Sequence, residues 1–368
     1  MITEDLAMVW QHNDLTVASA GPEMEFRFGG LVAYTWDVDQ TQHVVYNGAD
    51  SHVHELWFHH GDGWNHIDLT ATTSSPLSVG GLAGYTWDVD DTQHIVYVSA
   101  DGHIHELWFH HGDGWNHNDL TAAAGGSLGL GAVNGYTRAA DQTQHVIYLG
   151  TDNHIHELWF HHGDGWNHND LSLAAASPPN SSGNNPIGYQ WEVDTTQHVV
   201  GGGGDFHIHE LWYDGRWHHN DLTTAAGGPL AADWLTAYTW DIDETQHVVH
   251  RGASDGHIHE LWFHHRDGWN HHDLTTATGG PQAGNALTGY TWNLDQTQHV
   301  LYTGREGGVN ELRFRQGEGW SNIQVAAATQ VPGLGAGIMV GYTWDVDQTQ
   351  HVVYRGADNH VHELWFHH

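Results

Sequence analysis

Polar and apolar positions alternate in short runs along this chain, and no stretch sustains the 3.6-residue apolar period of a helix. A typical set of runs is Ala33 to Trp36, Gln42 to Tyr46, His52 to Phe58 and Trp64 to Thr70. Each run is rich in β-branched or aromatic residues and is bounded by Gly, Asp or Asn, which predicts strands joined by turns. Asp-Val-Asp-Gln-Thr links the first two runs, Gly-Ala-Asp-Ser the next two, and Gly-Asp-Gly the last two. Gly-Asp-Gly is a strong hairpin turn. Alternation assigns the faces of the third strand. His54, Leu56 and Phe58 share one face, and Val53, Glu55 and Trp57 share the other.

The set of four recurs seven times. Its first strand is marked by Tyr34, Tyr85, Tyr136, Tyr189, Tyr238, Tyr290 and Tyr342, spaced 49 to 53 residues apart. The seventh copy stops at His367-His368, before its fourth strand. The missing piece stands at the other end of the chain as Trp10-Gln11-His12-Asn13-Asp14-Leu15-Thr16. A half repeat at each end suits a closed ring. A period of this length, with four antiparallel strands per unit, predicts an all-β, seven-bladed propeller. We expect one domain over 1–368. The blades fall at about 34–72, 85–123, 136–174, 189–225, 238–277, 290–327, and 342–368 completed by 8–17. The Ala/Gly/Pro-rich pieces, such as Ala122 to Asn134, carry the chain from one blade to the next. Most of the 20 tryptophans are expected to pack between blades, because aromatic rings bury large areas there.

Composition narrows the partners. There are 45 acidic residues and nine arginines, with no lysine, so nucleic acid and anionic lipid are not expected partners. Cysteine is absent, which excludes disulfides and thiolate metal sites. No apolar run reaches a membrane-span length, and the first thirty residues do not read as a signal peptide. The formal charge of −36 is offset by 38 histidines, whose protonation would carry the chain to near neutrality. Carboxylate neighbours are expected to favour the imidazolium form and burial of some histidines to oppose it; if the first effect dominates, mild acid should stabilise the fold. Solubility should be lowest near pH 5.

Tyr34-Thr35-Trp36, His43-Val44-Val45-Tyr46, Val53-His54-Glu55-Leu56-Trp57 and Trp64 follow one another in an order that resembles the fungal and bacterial fucose-binding propeller lectins. The resemblance covers essentially the whole ring through short motifs. It implies a non-catalytic, multivalent carbohydrate-binding protein with glycans or glycoproteins as partners and an extracellular or cell-surface role. In that family an arginine from strand two and a glutamate from strand three grip the sugar, and a tryptophan stacks on its apolar face. The glutamate carries over as Glu55, Glu106, Glu157, Glu210, Glu260, Glu311 and Glu363, with Trp57, Trp108 and Trp262 as candidate plates. The arginine does not carry over, since Val44 or Ile95 stands in its place. A structural hydrogen bond is the competing reading of each glutamate.

Other motifs offer metal ligands. His-x-His pairs occur at His52/His54, His103/His105, His154/His156, His207/His209, His257/His259 and His360/His362. Residues two apart on a strand share a face and suit zinc, copper or nickel. The doublets at 59–60, 110–111, 161–162, 264–265 and 367–368 could add a ligand. Asp-x-Asp turns, at Asp37/Asp39, Asp88/Asp90, Asp241/Asp243 and Asp345/Asp347, could bind calcium. In each case a purely structural role competes, and no cofactor is required. Departures from the repeat, such as Arg138-Ala139-Ala140 and Gly201 to Gly204, assemble no nucleophile with a base, so no enzyme is expected. The alternative to a lectin is an assembly or protein-interaction ring, self-associating through the N-terminal strand or supported by metal.

Overall fold

Leu31–Trp36, Thr41–Asn47, Val53–His59 and Gly63–Asp68 form one antiparallel sheet in chain order, which we call blade 1. The computed structural model describes residues 10–25, 30–180, 185–327, 329 and 331–367. It contains seven such four-stranded sheets. Blades 2 to 6 occupy 78–124, 129–175, 187–226, 231–278 and 283–326. Blade 7 consists of Leu334–Trp344, Thr349–Gly356 and Val361–His367, and its fourth strand is Gln11–Asp14. Gln11 pairs with Trp365 and Asp14 with His362, so the two chain ends share one sheet. Residues 8 and 9 and His368, which were included in the expected closure, lie outside the described residues.

Among the described residues, short helices, which were not expected, follow the fourth strands of every blade except blade 6. Leu69–Thr73 in blade 1 and Leu15–Ser19 in blade 7 are examples, each five residues long. The Asp-Leu-Thr motif read as strand divides between the two elements. Asp68 is the N-cap, its carboxylate accepting from Ala71 N at 2.8 Å. Leu69 is fully buried, and the Thr70 hydroxyl accepts from Val53 N at 2.9 Å. Thr16 does the same for Val361 N across the chain ends. Such a cap is worth ~1 kcal/mol, and a single turn is too short to show a helical period.

Second strands are the most deeply buried: Val44, Val45 and Tyr46 are fully inaccessible. Each core cluster spans two blades. Val45, Val53 and Leu69 of blade 1, for instance, pack with Leu82, Ile95, Tyr97 and Leu107 of blade 2. One blade therefore cannot bury its own apolar face.

A polar contact closes every joint. The hydroxyl of each first-strand tyrosine donates to a second-strand glutamine of the next blade. Tyr34 reaches Gln93, Tyr85 reaches Gln144, and so on around to Tyr342, which reaches Gln42. All seven bonds are present, at 2.8 to 3.2 Å. Gly84, just before Tyr85, makes room for the previous tyrosine: a Cβ there would lie 2.7 Å from the Tyr34 ring. Two stability predictions follow from these contacts. Gly84→Ala should cost about 1–3 kcal/mol by overpacking this joint, read as a lower Tm. Deleting residues 1–17 removes the closing strand, the Leu15 burial and the Thr16 bond. It should lower Tm by at least about 5 °C and promote aggregation through the bared edge of blade 7. An unchanged Tm after the deletion would contradict closure by this strand.

Candidate functional site

Because the strands alternate in direction, the first and third turns of every blade lie on one face of the ring. The second turns and the short helices lie on the other. Different chemistry recurs on each face.

On the first face a polar chain runs across each blade. In blade 2, Asp90 accepts from the Thr92 hydroxyl, and Thr92 Oγ1 lies 2.7 Å from His94 Nε2. His94 Nδ1 meets Glu106 Oε1 at 2.8 Å, and Glu106 Oε2 accepts from the Asn118 amide at 2.8 Å. The histidine–glutamate contact recurs in all seven blades at 2.5 to 2.9 Å. The histidine ring also stacks on its own blade's joint tyrosine, as His94 does on Tyr85. Burial, reinforced by the nearby glutamate, pushes the Tyr85 hydroxyl well above its ordinary value, which keeps it a donor. The recurring Asp-Gln-Thr-Gln-His run thereby ties the site to the joint. The second aspartate of Asp-x-Asp serves this chain in blade 2 by accepting from threonine.

The seven candidate glutamates are all buried, at 1 to 3% exposure. In blades 2, 3 and 7 both carboxylate oxygens are already engaged, by histidine and by Asn118, Asn169 or Asn13. In blades 1 and 6, Ile67 and Ile323 stand opposite Glu55 and Glu311 in place of the asparagine. The glutamates form a floor, and aromatic rings form the walls. Between blades 2 and 3 a cleft of about 180 Å³ is lined by Trp87, Glu106, Trp108, Asn118, Phe160, His162 and Trp166, among others. The corresponding cleft between blades 4 and 5, about 310 Å³, has Trp191, Glu210, Trp212, Asn220, His265 and Trp269. Clefts also lie at Glu157 and Glu363. Trp108 thus joins a cleft with its glutamate. Trp57 and Trp262 hold the same strand position in blades 1 and 5, opposite Asn65 and Asn270.

One wall-forming group and one floor-forming group escaped the sequence reading. The second histidine of the doublets crosses to the preceding blade. His111 stacks on Trp36 with centroids 4.8 Å apart, and His162 stacks on Trp87. The second-strand histidine, exemplified by His94, holds the floor. Its recurrence within an apolar run was the available signal.

No protein-family model matches the sequence, and neither does any curated protein sequence. Solved structures do match. BP39L lectin from Burkholderia pseudomallei superposes with a TM-score of 0.72 at 14% identity, covering 93% of this chain and 96% of that one. The fold is similar to that of propeller lectins. SapL1 lectin, solved in complex with α-methyl fucoside, matches at a TM-score of 0.53 and 15% identity, over 85% of this chain and 99% of its own. The six-bladed lectin of Aleuria aurantia matches at 0.52 and 15%, over 84% and 99%. At such identities the likeness to lectin propellers is one of fold, and it holds with seven blades here.

The opposite face of the ring carries the His-x-His pairs. In blade 1, His52 Nδ1 meets Asp68 Oδ2 at 2.8 Å, and His54 lies between Asp50, at 3.1 Å, and His66, at 3.0 Å. In blade 5, His257 and His259 take the matching partners Asp273, Asp255 and His271. In blade 2, His103 pairs with Asp119, while His105 contacts His117 and the Ser99 hydroxyl.

Among the histidines with a shifted pKa, burial outweighs carboxylate attraction. Burial is the main cause that holds His12, His66, His105, His117, His168, His219 and His271 below the ordinary value. It drives His250 down to about 3. Among the described residues, two histidines lie above the ordinary value: His154, raised by its hydrogen bond to Asp170, and His360, raised by its bond to Asp14. A depressed imidazole is neutral when folded, but the unfolded chain protonates it near pH 6.5. Stability from these groups is therefore present above that pH and lost as pH falls towards their folded values. The raised pair acts in the other sense but is outnumbered. We expect Tm to fall steadily from pH 7 to pH 5; a rise over that interval would restore carboxylate attraction as the dominant effect.

Proposed function

We propose that the protein is a non-catalytic, multivalent carbohydrate-binding propeller whose sugars sit in the clefts between blades. One observation carries this reading: tryptophan-walled, glutamate-floored clefts recur at several joints of a lectin-like ring. A sugar needs an apolar plate for its C–H face and fixed polar groups for its hydroxyls. Trp108 and Trp166 supply the plates between blades 2 and 3, and the Asn118 amide and His162 supply polar groups at the rim. Glu106 acts mainly through Asn118 and His94, orienting them from below. The strand-two arginine of the fucose-binding pattern is absent, with Val44 or Ile95 in its place, which favours recognition by stacking over an ionic grip. Cleft volumes of about 150 to 310 Å³ lie at or below the small end of the range for drug-sized ligands and suit one monosaccharide ring. Each site is then weak, and affinity comes from engaging several at once.

The test is a glycan array at neutral pH followed by titration of the best monovalent hit. Trp108→Ala with Trp166→Ala should remove one site from the stoichiometry and leave the others. Glu106→Gln should weaken that site about tenfold, or 1.4 kcal/mol, through its asparagine and histidine. Binding to no glycan at high protein concentration would remove the lectin reading. Unchanged stoichiometry in the tryptophan variant would move the sugar elsewhere.

A further inference from the structure

We propose that the face opposite the clefts binds divalent transition-metal ions of the zinc class at blades 1, 3, 5 and 7, and that the ion at blade 7 clasps the two ends of the chain. In blade 1, ligand atoms from Asp50, His52, His54 and Asp68 all lie within 4.8 Å of one another. Tetrahedral zinc with bonds of about 2.1 Å needs ligand separations of about 3.4 Å, so small side-chain shifts complete the shell. The outer partner of a ligating imidazole is also present, because His54 Nδ1 faces His66 Nε2 at 3.0 Å. The same convergence appears at Asp152, His156 and Asp170, at Asp255, His257 and His259, and at Asp14, Asp358 and His360.

Glycine leaves room for these donors, as Gly203 also does in blade 4, where no such set is gathered among the described residues. A Cβ on Gly48 would lie 2.6 Å from both Asp50 Oδ1 and His54 Nε2. Gly150, Gly252 and Gly356 stand at the same place in the other three blades, each against its own aspartate and histidine. Blades 2 and 6 are natural controls. In blade 2 this position is Ser99, whose hydroxyl inserts between Asp101 and His105. In blade 6 the histidines are replaced by Gly308 and Asn310. Neither blade gathers such a donor set among the described residues. In blade 7, Asp14 comes from the N-terminal strand and His360 from just before the C-terminal one, 2.7 Å apart. An ion held by both would add metal–ligand bonds to the ring closure.

Zinc titration of chelator-stripped full-length protein tests this by calorimetry. About four ions per chain are expected. The variant Asp50→Asn, Asp152→Asn, Asp255→Asn and Asp358→Asn keeps turn-compatible residues and should weaken binding at least tenfold. Changing His59, His110, His161 and His264, on the other face, to alanine should leave it intact. Circular dichroism verifies that both variants are folded. Zinc should raise the wild-type Tm, and Asp358→Asn should remove more of that rise than Asp50→Asn, since only the blade 7 ion joins the chain ends. No binding at 100-micromolar zinc, binding unchanged in the four-aspartate variant, or binding lost only in the four-histidine variant would overturn the sites. Equal loss of the Tm rise in the two single variants would overturn the clasp.

Discussion

The ring depends on one bond made seven times, from a tyrosine hydroxyl of one blade to a glutamine of the next. No blade has a core of its own, so its neighbour must be placed correctly before either is stable. Apolar packing is tolerant of small rotations. A hydrogen bond between buried groups is not, because an unpaired buried partner costs about 1–3 kcal/mol. The tyrosine is steadied by the histidine stacked on it, and that histidine is held by a buried glutamate. Glycine on the facing strand leaves the ring space. Joint angle and blade count therefore have a shared polar basis.

The same histidine–glutamate pair floors the inter-blade cleft. The candidate sugar site is consequently not an addition to the fold but its joint seen from one face. Asn118 and Trp108 are placed by the groups that hold Tyr85 against Gln144. This explains why each cleft resembles the next, and why blade 3, with Arg138 in place of a tryptophan, has a cleft of different character. The opposite face uses histidine differently, in pairs of one half-buried and one buried ring that meet aspartates around the second turns. The two faces can thus be perturbed independently.

Much of this was legible in the chain. The half repeat at Trp10 to Thr16 implied closure by the N-terminal strand, and Gln11 does pair with Trp365. Period-two alternation placed Glu106 and Trp108 on one face, and both line the same cleft. The helices were not legible, because five residues show no period and are set by the cap of Asp68 and its equivalents. The role of His94 was hidden because a histidine inside an apolar strand shows its partners only when the sheet is paired. The balance of histidine titration was not legible for a related reason. Carboxylate neighbours are countable in a sequence, but burial, which dominates at His66 and His250, is not.

The dependence of the ring on its polar joints is tested most directly by a double-mutant cycle on one of them. Tyr85→Phe, Gln144→Leu and the double variant would be compared with wild type by denaturant unfolding. If the hydroxyl–amide bond sets the joint, the single changes are each destabilising and the pair is coupled by about 1 kcal/mol. Strictly additive effects would show that the joint is set by apolar packing alone and that the bond is incidental.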